Sequence, residues 1–259
     1  MPRAVDVAPT RISVITYNIW LTQRWRLRAP ALKEFLRLYD PDILCVQELQ
    51  PRSQRLIDTT LAAHRRVHDR FGGWATESNI YWRASLFAEV EHGAEDVGIR
   101  YGNRRLFWAR LRLAGSARTV FVATAHLTHQ REAREARTGR SPRVRQTRRI
   151  ITALKRIARA REPLFFMGDM NDAVHPAHLL HAAGYTSCFG ALGLQPPTTF
   201  KCYPTADVRP GLPPISQCID WLFANQHARA VAAAVPTFYF KDAAPSDHWP
   251  VQAVYEISS

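Results

Sequence analysis

The sequence predicts an α/β fold in a single domain spanning residues 1–259, with a core from about 11 to 257. Three observations carry that reading. Short apolar β-type runs recur along the chain, helical stretches with one apolar face fall between some of them, and no repeat, low-complexity tract or interdomain linker interrupts the series. The 259 residues, 46% of them hydrophobic, suffice for one large core. A charged content of 22% with 10% aromatics excludes extended disorder.

The elements follow in order. Residues 12–17 read as a strand. Residues 31–39 read as a helix with Leu32, Phe35, Leu36 and Tyr39 on one face, ended by Asp40-Pro41. Residues 43–47 form a short buried strand, and Ser53 is placed to cap a helix carrying Leu56, Ile57 and Leu61. The next third is strand-rich: 79–82, 86–91, 106–113 and 119–125, with Gly115-Ser116 turning between the last two. Ser141-Pro142 marks a helix start, a capping hydroxyl before a proline at the first helical position. Behind it Val144, Thr147, Ile151, Leu154 and Ile157 keep helical spacing, and Arg145, Arg148, Arg149, Arg156 and Arg159 fall largely on the other faces. Residues 164–167 are a strand. Residues 196–214 hold six prolines and read as a long surface loop, and 219–223 and 251–257 are closing strands.

Charge narrows the partner. The net charge is +13, and 31 of the 35 basic residues are arginine, whose fork matches phosphate geometry. Between Arg131 and Arg161 stand 12 basic residues against Glu132 and Glu135, a net of +10. A field focused this way steers anions, which makes the segment a candidate polyanion contact; the plain alternative is a solvated helix face. Trp20, Trp25, Trp74 and Trp82 are candidates for stacking on bases, with ordinary packing as the alternative. Cys45, Cys188, Cys202 and Cys218 form no CxxC pair, and Cys45 lies in an apolar run that suits the core. The first residues lack a signal-peptide core, and no stretch nears the ~18 apolar residues of a transmembrane segment. These features lead us to expect a cytoplasmic protein with reduced thiols.

The chemistry sits at strand ends. Asn18 follows the first strand, Glu48 the second, and His126 the run 119–125. Asp169 and Asn171 follow 164–167 as GDMN, Asp220 lies in CIDWLF, and Asp247-His248 precede the last strand in SDHW. One carboxylate after a strand is usually a turn former; recurrence at so many strand ends is the signal, because adjacent ends converge on one pocket. Hard oxygen donors such as Glu48 and Asp247 favour Mg²⁺ or Mn²⁺, and the Cys/His spacing of zinc is missing. An Asp can take a proton from water, a neighbouring Asn can orient that water, and a His can stabilise the charged transition state. The residue types suit hydrolysis of phosphate esters.

In this order TYN (16–18), VQE (46–48), TAHL (124–127), GDMN (168–171), CID (218–220) and SDH (246–248) resemble the endonuclease/exonuclease/phosphatase superfamily, which includes DNase I, apurinic endonucleases, inositol phosphatases, neutral sphingomyelinases and tyrosyl-DNA phosphodiesterase 2. The resemblance implies a four-layer α/β sandwich, DNase I-like, with two central mostly antiparallel sheets and outer helices. It implies Glu48 as the main metal ligand with Asn18 nearby and Asp247 in the metal shell. Asp169 would activate or position the attacking water, Asn171 hold phosphate or water, and His248 contact the scissile phosphate, oriented by Asp220. His126 stands where DNase-like and sphingomyelinase-like members also use His, whereas apurinic endonucleases tend to Tyr. Glu77 or Asn79 would orient His126. Among the other histidines, His129 stands close enough to His126 to be an extra site candidate. Trp20 departs from several DNA-repair members, which carry an acidic or amide residue there.

The resemblance therefore implies a Mg²⁺- or Mn²⁺-dependent phosphodiester hydrolase, with nucleic acid as the first substrate class. The alternatives are a phospholipid headgroup, an inositol phosphate or another small phosphoester, and a tyrosyl-DNA linkage. A catalytically degenerate binding protein is disfavoured by the intact set. Loops 127–141 and 196–216 would set substrate choice, while endo- versus exo-cleavage, metal count and oligomeric state stay open.

Overall fold

Side-chain alternation along the strands decides the layers. In the strand Thr10–Asn18, Ile12 and Val14 join one core while Ile15 and Tyr17 join another. A strand apolar on both faces must be covered on both. The computed structural model describes residues 10–130, 132–200 and 217–257. In chain order the elements are β1 (Thr10–Asn18), α1 (Trp25–Tyr39), β2 (Ile43–Gln47), α2 (Pro51–Thr60), β3 (His64–Arg66), α3 (Gly73–Thr76), β4 (Ser78–Arg83) and β5 (Phe87–Glu95). There follow β6 (Leu106–Leu113), β7 (Thr119–His126), α4 (Ala133–Thr138), α5 (Pro142–Ile157), β8 (Leu164–Asp169), α6 (His175–Ala182), β9 (Thr186–Ser187), α7 (Cys188–Ala191), β10 (Asp220–Ala224), β11 (Ala228–Ala234) and β12 (Val251–Ile257).

Two sheets result, ordered β11-β12-β1-β2-β4-β3 and β5-β6-β7-β8-β10-β9. Each holds one parallel pair, β1 with β2 and β7 with β8, and is otherwise antiparallel. The inner faces meet through Val14, Cys45, Ile80, Phe107, Val122, Met167 and Leu222. Outside the first sheet, Leu32, Phe35 and Leu36 of α1 and Ile57 of α2 pack on Ile15, Leu44 and Val46. Outside the second, Ile150 and Leu154 of α5 and Leu180 of α6 pack on Phe121, Phe166 and Phe223. This is the four-layer α/β sandwich expected from the sequence. A buried polar link joins the sheets below one rim: Gln47 Nε2 donates to Thr124 Oγ1 at 2.9 Å and to Thr16 Oγ1 at 3.1 Å.

Some local expectations change. Helix α1 begins at Trp25, and Pro30 lies within it. Ser53 acts from the third helical position: its hydroxyl accepts from the Gln50 N–H, and Gln50 occupies the cap. Ser141 does occupy the cap of α5, but its hydroxyl is buried without a hydrogen-bond partner. The buried stripe of α5 is Arg143, Gln146, Thr147, Ile150, Ala153 and Leu154, leaving Val144 and Ile151 half-buried. The stripe is rotated because Arg143 and Gln146 find polar partners inside, including the Thr128 carbonyl at 3.0 Å and the Thr128 hydroxyl at 2.7 Å. The alanine-rich β11 and helix α6 carry weak patterns that the periodicity of the sequence does not mark. Cys45, Cys188 and Cys218 are buried free thiols; Cys202, Arg131 and most of the proline-rich loop lie outside the described residues.

Candidate active site

Strand register sets three polar residues side by side. Asp169, at the end of β8, pairs with His126 on parallel β7 and with Asp220 on antiparallel β10. The approach at this row requires Gly168. Its φ is +142°, and a Cβ there would lie 2.0 Å from the Ala125 carbonyl oxygen. In the other sheet Asn18 ends β1 opposite Gln47, Glu48 follows β2, and Asp247-His248 lie just before β12. Glu48 and Asn171 have left-handed backbones, φ 57° and 50°, a conformation that non-glycine residues hold only when surrounding structure enforces it.

The two rims meet at the Asp169 carboxylate. Its Oδ2 accepts from Asn18 Nδ2 at 3.0 Å and lies 3.3 Å from His126 Nε2 and 3.9 Å from His248 Nε2. Its Oδ1 accepts from the Asn171 N–H at 2.8 Å. Asn171 Nδ2 donates to the Leu127 carbonyl at 3.1 Å. Each imidazole is held on its far side, His126 Nδ1 by Glu77 at 2.9 Å and His248 Nδ1 by Asp220 at 2.8 Å. Glu48 Oε1 lies 3.4 Å from Asn18 Nδ2 and 4.0 Å from His126 Nε2, and Asp247 Oδ1 lies 3.9 Å from His248 Nε2. All eight residues singled out in the sequence thus fall at one site. Of the two candidates to orient His126, Glu77 does so; Asn79 bonds the Val67 and Trp74 carbonyls instead.

Burial and charge set the protonation states. Burial and the Arg104 charge lower the His126 pKa, but Asp169 and Glu77 outweigh them and push it up to about 9. Burial likewise lowers His248, and Asp220, Asp169 and Asp247 raise it well above the ordinary imidazole value. Burial raises Asp169, yet the two imidazoles and Asn18 hold it well below the carboxylate range. Asp247 goes the other way: burial first, then Glu48 and Asp169, push it up to about 6 against His248 and Arg28.

The donor chemistry fits a divalent cation. Asp247 Oδ1 is buried with no hydrogen-bond partner, and Glu48 stands close enough to raise its pKa. A cation would relieve both strains with oxygen donors of the type magnesium and manganese take. A second grouping, Asp169, Asp220 and His248, has donor atoms within 4.8 Å of one another. In it the His248–Asp220 hydrogen bond engages Nδ1 and Oδ2, while Asp220 Oδ1 is buried without a hydrogen-bond partner.

Other residues shape the site. Arg28, fully buried, donates from Nε to the Gln23 carbonyl at 2.7 Å, from Nη2 to Trp20 at 2.9 Å and from Nη1 to Ile19 at 3.0 Å and to Pro245. It thereby joins the turn after Asn18 to the turn before Asp247. The sequence signal was an arginine in step with Ala31, Leu32 and Phe35 on the apolar face of α1. Thr199 Oγ1 accepts from the Ile219 and Asp220 N–H groups, and Phe200 packs on the His248 ring at 4.6 Å. Trp25, Trp74 and Trp82 are core residues, while Trp20 is half-buried with Arg28 4.9 Å from its ring centroid. His129 is exposed, three residues beyond His126. The basic segment divides: Arg143 is buried against Glu135 and Asp172, Arg156 and Arg159 pair with Glu95 and Glu91, and Arg134, Arg137, Arg140, Arg145, Arg148 and Arg149 are exposed.

A fold of two such sheets with this rim defines a class, and comparison identifies it. The sequence profile of the Endonuclease/Exonuclease/phosphatase family matches residues 15–248, and the chain belongs to that family. No curated protein matches the chain. Among solved structures, D. rerio TDP2 complexed with single strand DNA product is 20% identical with a TM-score of 0.77, over 95% of this chain and 99% of that one. An endonuclease/exonuclease/phosphatase family protein from Bacteroides thetaiotaomicron is 18% identical, TM-score 0.75, over 98% and 100%. A mannosyl-6-phosphatase from Bacteroides thetaiotaomicron VPI-5482 is 17% identical, TM-score 0.75, over 94% and 99%. At such identities the likeness establishes the shared fold. No helix among the described residues is long and apolar enough to cross a membrane.

Proposed function

We propose that the chain is a Mg²⁺- or Mn²⁺-dependent phosphodiester hydrolase acting on nucleic acid. The observation that carries this reading is the single carboxylate, Asp169, ringed by Asn18, His126 and His248, with Glu48 and the unpartnered Asp247 oxygen alongside. Glu48 and Asp247, with Asn18, would hold the metal. Bound there, the ion would neutralise phosphoryl charge and stabilise the departing oxygen.

The residues divide the remaining work. His248 and His126, held as imidazolium by Asp220 and Glu77, donate hydrogen bonds to the phosphoryl oxygens and oppose the charge that builds in the transition state. Asp169 accepts a hydrogen of the attacking water. Its basicity is low while both imidazolium groups face it, and rises when the phosphate takes over their hydrogens. Asn171, fixed by the Leu127 carbonyl, helps hold the phosphate or the water. The reading of nucleic acid over a small phosphoester rests on the exposed arginines at 134, 137, 140, 145 and 148, on and beside the α4–α5 segment that follows His126.

The test is hydrolysis with Mg²⁺ or Mn²⁺ across single- and double-stranded DNA, RNA, 5′-tyrosyl-DNA, sphingomyelin, inositol phosphates and sugar phosphates, with Glu48→Gln as control. The expected result is metal-dependent cleavage of a nucleic acid that the variant lacks. Preference for a lipid or sugar phosphate would overturn the substrate class, and full activity in Glu48→Gln would overturn the site.

A further inference from the structure

A series of contacts from His126 leads to a feature the hydrolytic chemistry does not use. Tyr101, in the β5–β6 loop, is 41% exposed, and its ring stacks on that of His129 with centroids 6.1 Å apart and planes 19° from parallel. His129 is itself exposed, three residues beyond His126. Tyr101 belongs to none of the hydrophobic clusters and both rings are exposed, so core packing does not account for the pair.

Arg104 ties this pair to the reacting centre. Its Nε lies 3.2 Å from Glu77 Oε1, the oxygen that holds His126, and its Nη1 donates to the Leu127 carbonyl at 3.1 Å. Its guanidinium carbon sits 5.9 Å from the Tyr101 ring centroid. The run His126, Glu77, Arg104, Tyr101, His129 is therefore continuous. Gln130, next to His129, donates to the Gln217 side chain at 3.0 Å.

We propose that Tyr101 and His129 form a stacking shelf for a nucleobase of the strand whose phosphate lies at His126 and Asp169. The inference rests on the nucleic-acid reading above and narrows it. A flat ring pair accepts any base by its face, which gives affinity without sequence choice, and the adjoining arginine suits the backbone phosphate. Neither a bare sugar phosphate nor an inositol phosphate offers a planar ring to it.

The variants are Tyr101→Ala and His129→Ala, with Tyr101→Phe retaining the ring. KM and kcat are read on a single-stranded DNA oligonucleotide and on an all-abasic strand of equal length. Wild type should prefer the base-bearing strand by about tenfold in KM. Both alanine variants should lose most of that preference with kcat little changed, and Tyr101→Phe should keep it. Quenching of 2-aminopurine nucleoside 5′-monophosphate fluorescence by the protein gives a readout that needs no turnover, and it should fall in Tyr101→Ala. Unchanged preference and unchanged quenching in the alanine variants would overturn the shelf while leaving nucleic-acid hydrolysis intact. Cleavage of a sugar or inositol phosphate in place of DNA would overturn the nucleic-acid reading, and the quenching measurement would still decide the shelf.

Discussion

The two halves of the site are finished to different degrees. On β7, β8 and β10, His126, Asp169 and Asp220 are wired together: each imidazole has its own carboxylate and Asp169 takes hydrogen bonds from both rims. On the other half, Glu48 and Asp247 face each other's charge, and one buried Asp247 oxygen has no donor at all. Buried polar groups are normally satisfied, and the half where two carboxylates face each other, Glu48 and Asp247, is the one we propose holds the cation. The other half also has one such oxygen, Asp220 Oδ1, but there each carboxylate faces an imidazole, Glu77 on His126 and Asp220 on His248.

Substitutions should separate the halves. The largest effect is expected from His248→Ala, a fall in turnover on the order of a thousandfold with the fold retained, read by steady-state kinetics and circular dichroism. Next are paired stability measurements on metal-free protein. Asp220→Asn leaves the buried His248 without its counter-charge and should cost about 3 kcal/mol in denaturant unfolding. Asp247→Asn and Glu48→Gln relieve repulsion and should leave the metal-free fold equally or more stable. If all three variants lost stability alike, the distinction between the halves would collapse.

A smaller effect concerns the scaffold under the loop after His126. Asp172 is buried, which raises its pKa, but the Val174 and His175 N–H groups, the His175 ring and Arg143 lower it further, to below the ordinary value. A carboxylate depressed in the folded state stabilises above its unfolded pKa of about 3.9 and loses that contribution as pH falls through the folded value. Asp172→Asn should therefore be less stable than wild type at neutral pH and show a flatter loss between about pH 5 and pH 2 in acid-unfolding curves. Smallest of all, Arg145→Gln with Arg148→Gln should lower DNA affinity modestly and reduce the slope of log affinity against log salt by about one per lost phosphate contact. An unchanged slope would return those arginines to a solvated helix face.

Much of this was legible in the sequence because the site lies where strands end. Strand periodicity located the ends at 18, 48, 126, 169 and 248, and the residue types there announced the chemistry. What stayed hidden depends on long-range pairing. Glu77 was one of two candidates, and only the contact across 49 residues chooses it over Asn79. Arg28 lies before the helix expected at 31–39, and its four carbonyl partners come from turns that the chain brings together only when folded. The basic segment read as one block because composition does not reveal that Arg143, Arg156 and Arg159 already have carboxylates. The stripe of α5 was misplaced by one residue for the same reason: polar side chains with inside partners count as buried.

The most direct test is calorimetric titration of Mn²⁺ into wild type, Glu48→Gln and Asp220→Asn. The expected result is binding to wild type, loss of binding in Glu48→Gln, and near-wild-type affinity in Asp220→Asn. Retained affinity in Glu48→Gln with loss in Asp220→Asn would move the cation to the Asp169–Asp220–His248 grouping and contradict the assignment of the open half as the metal site.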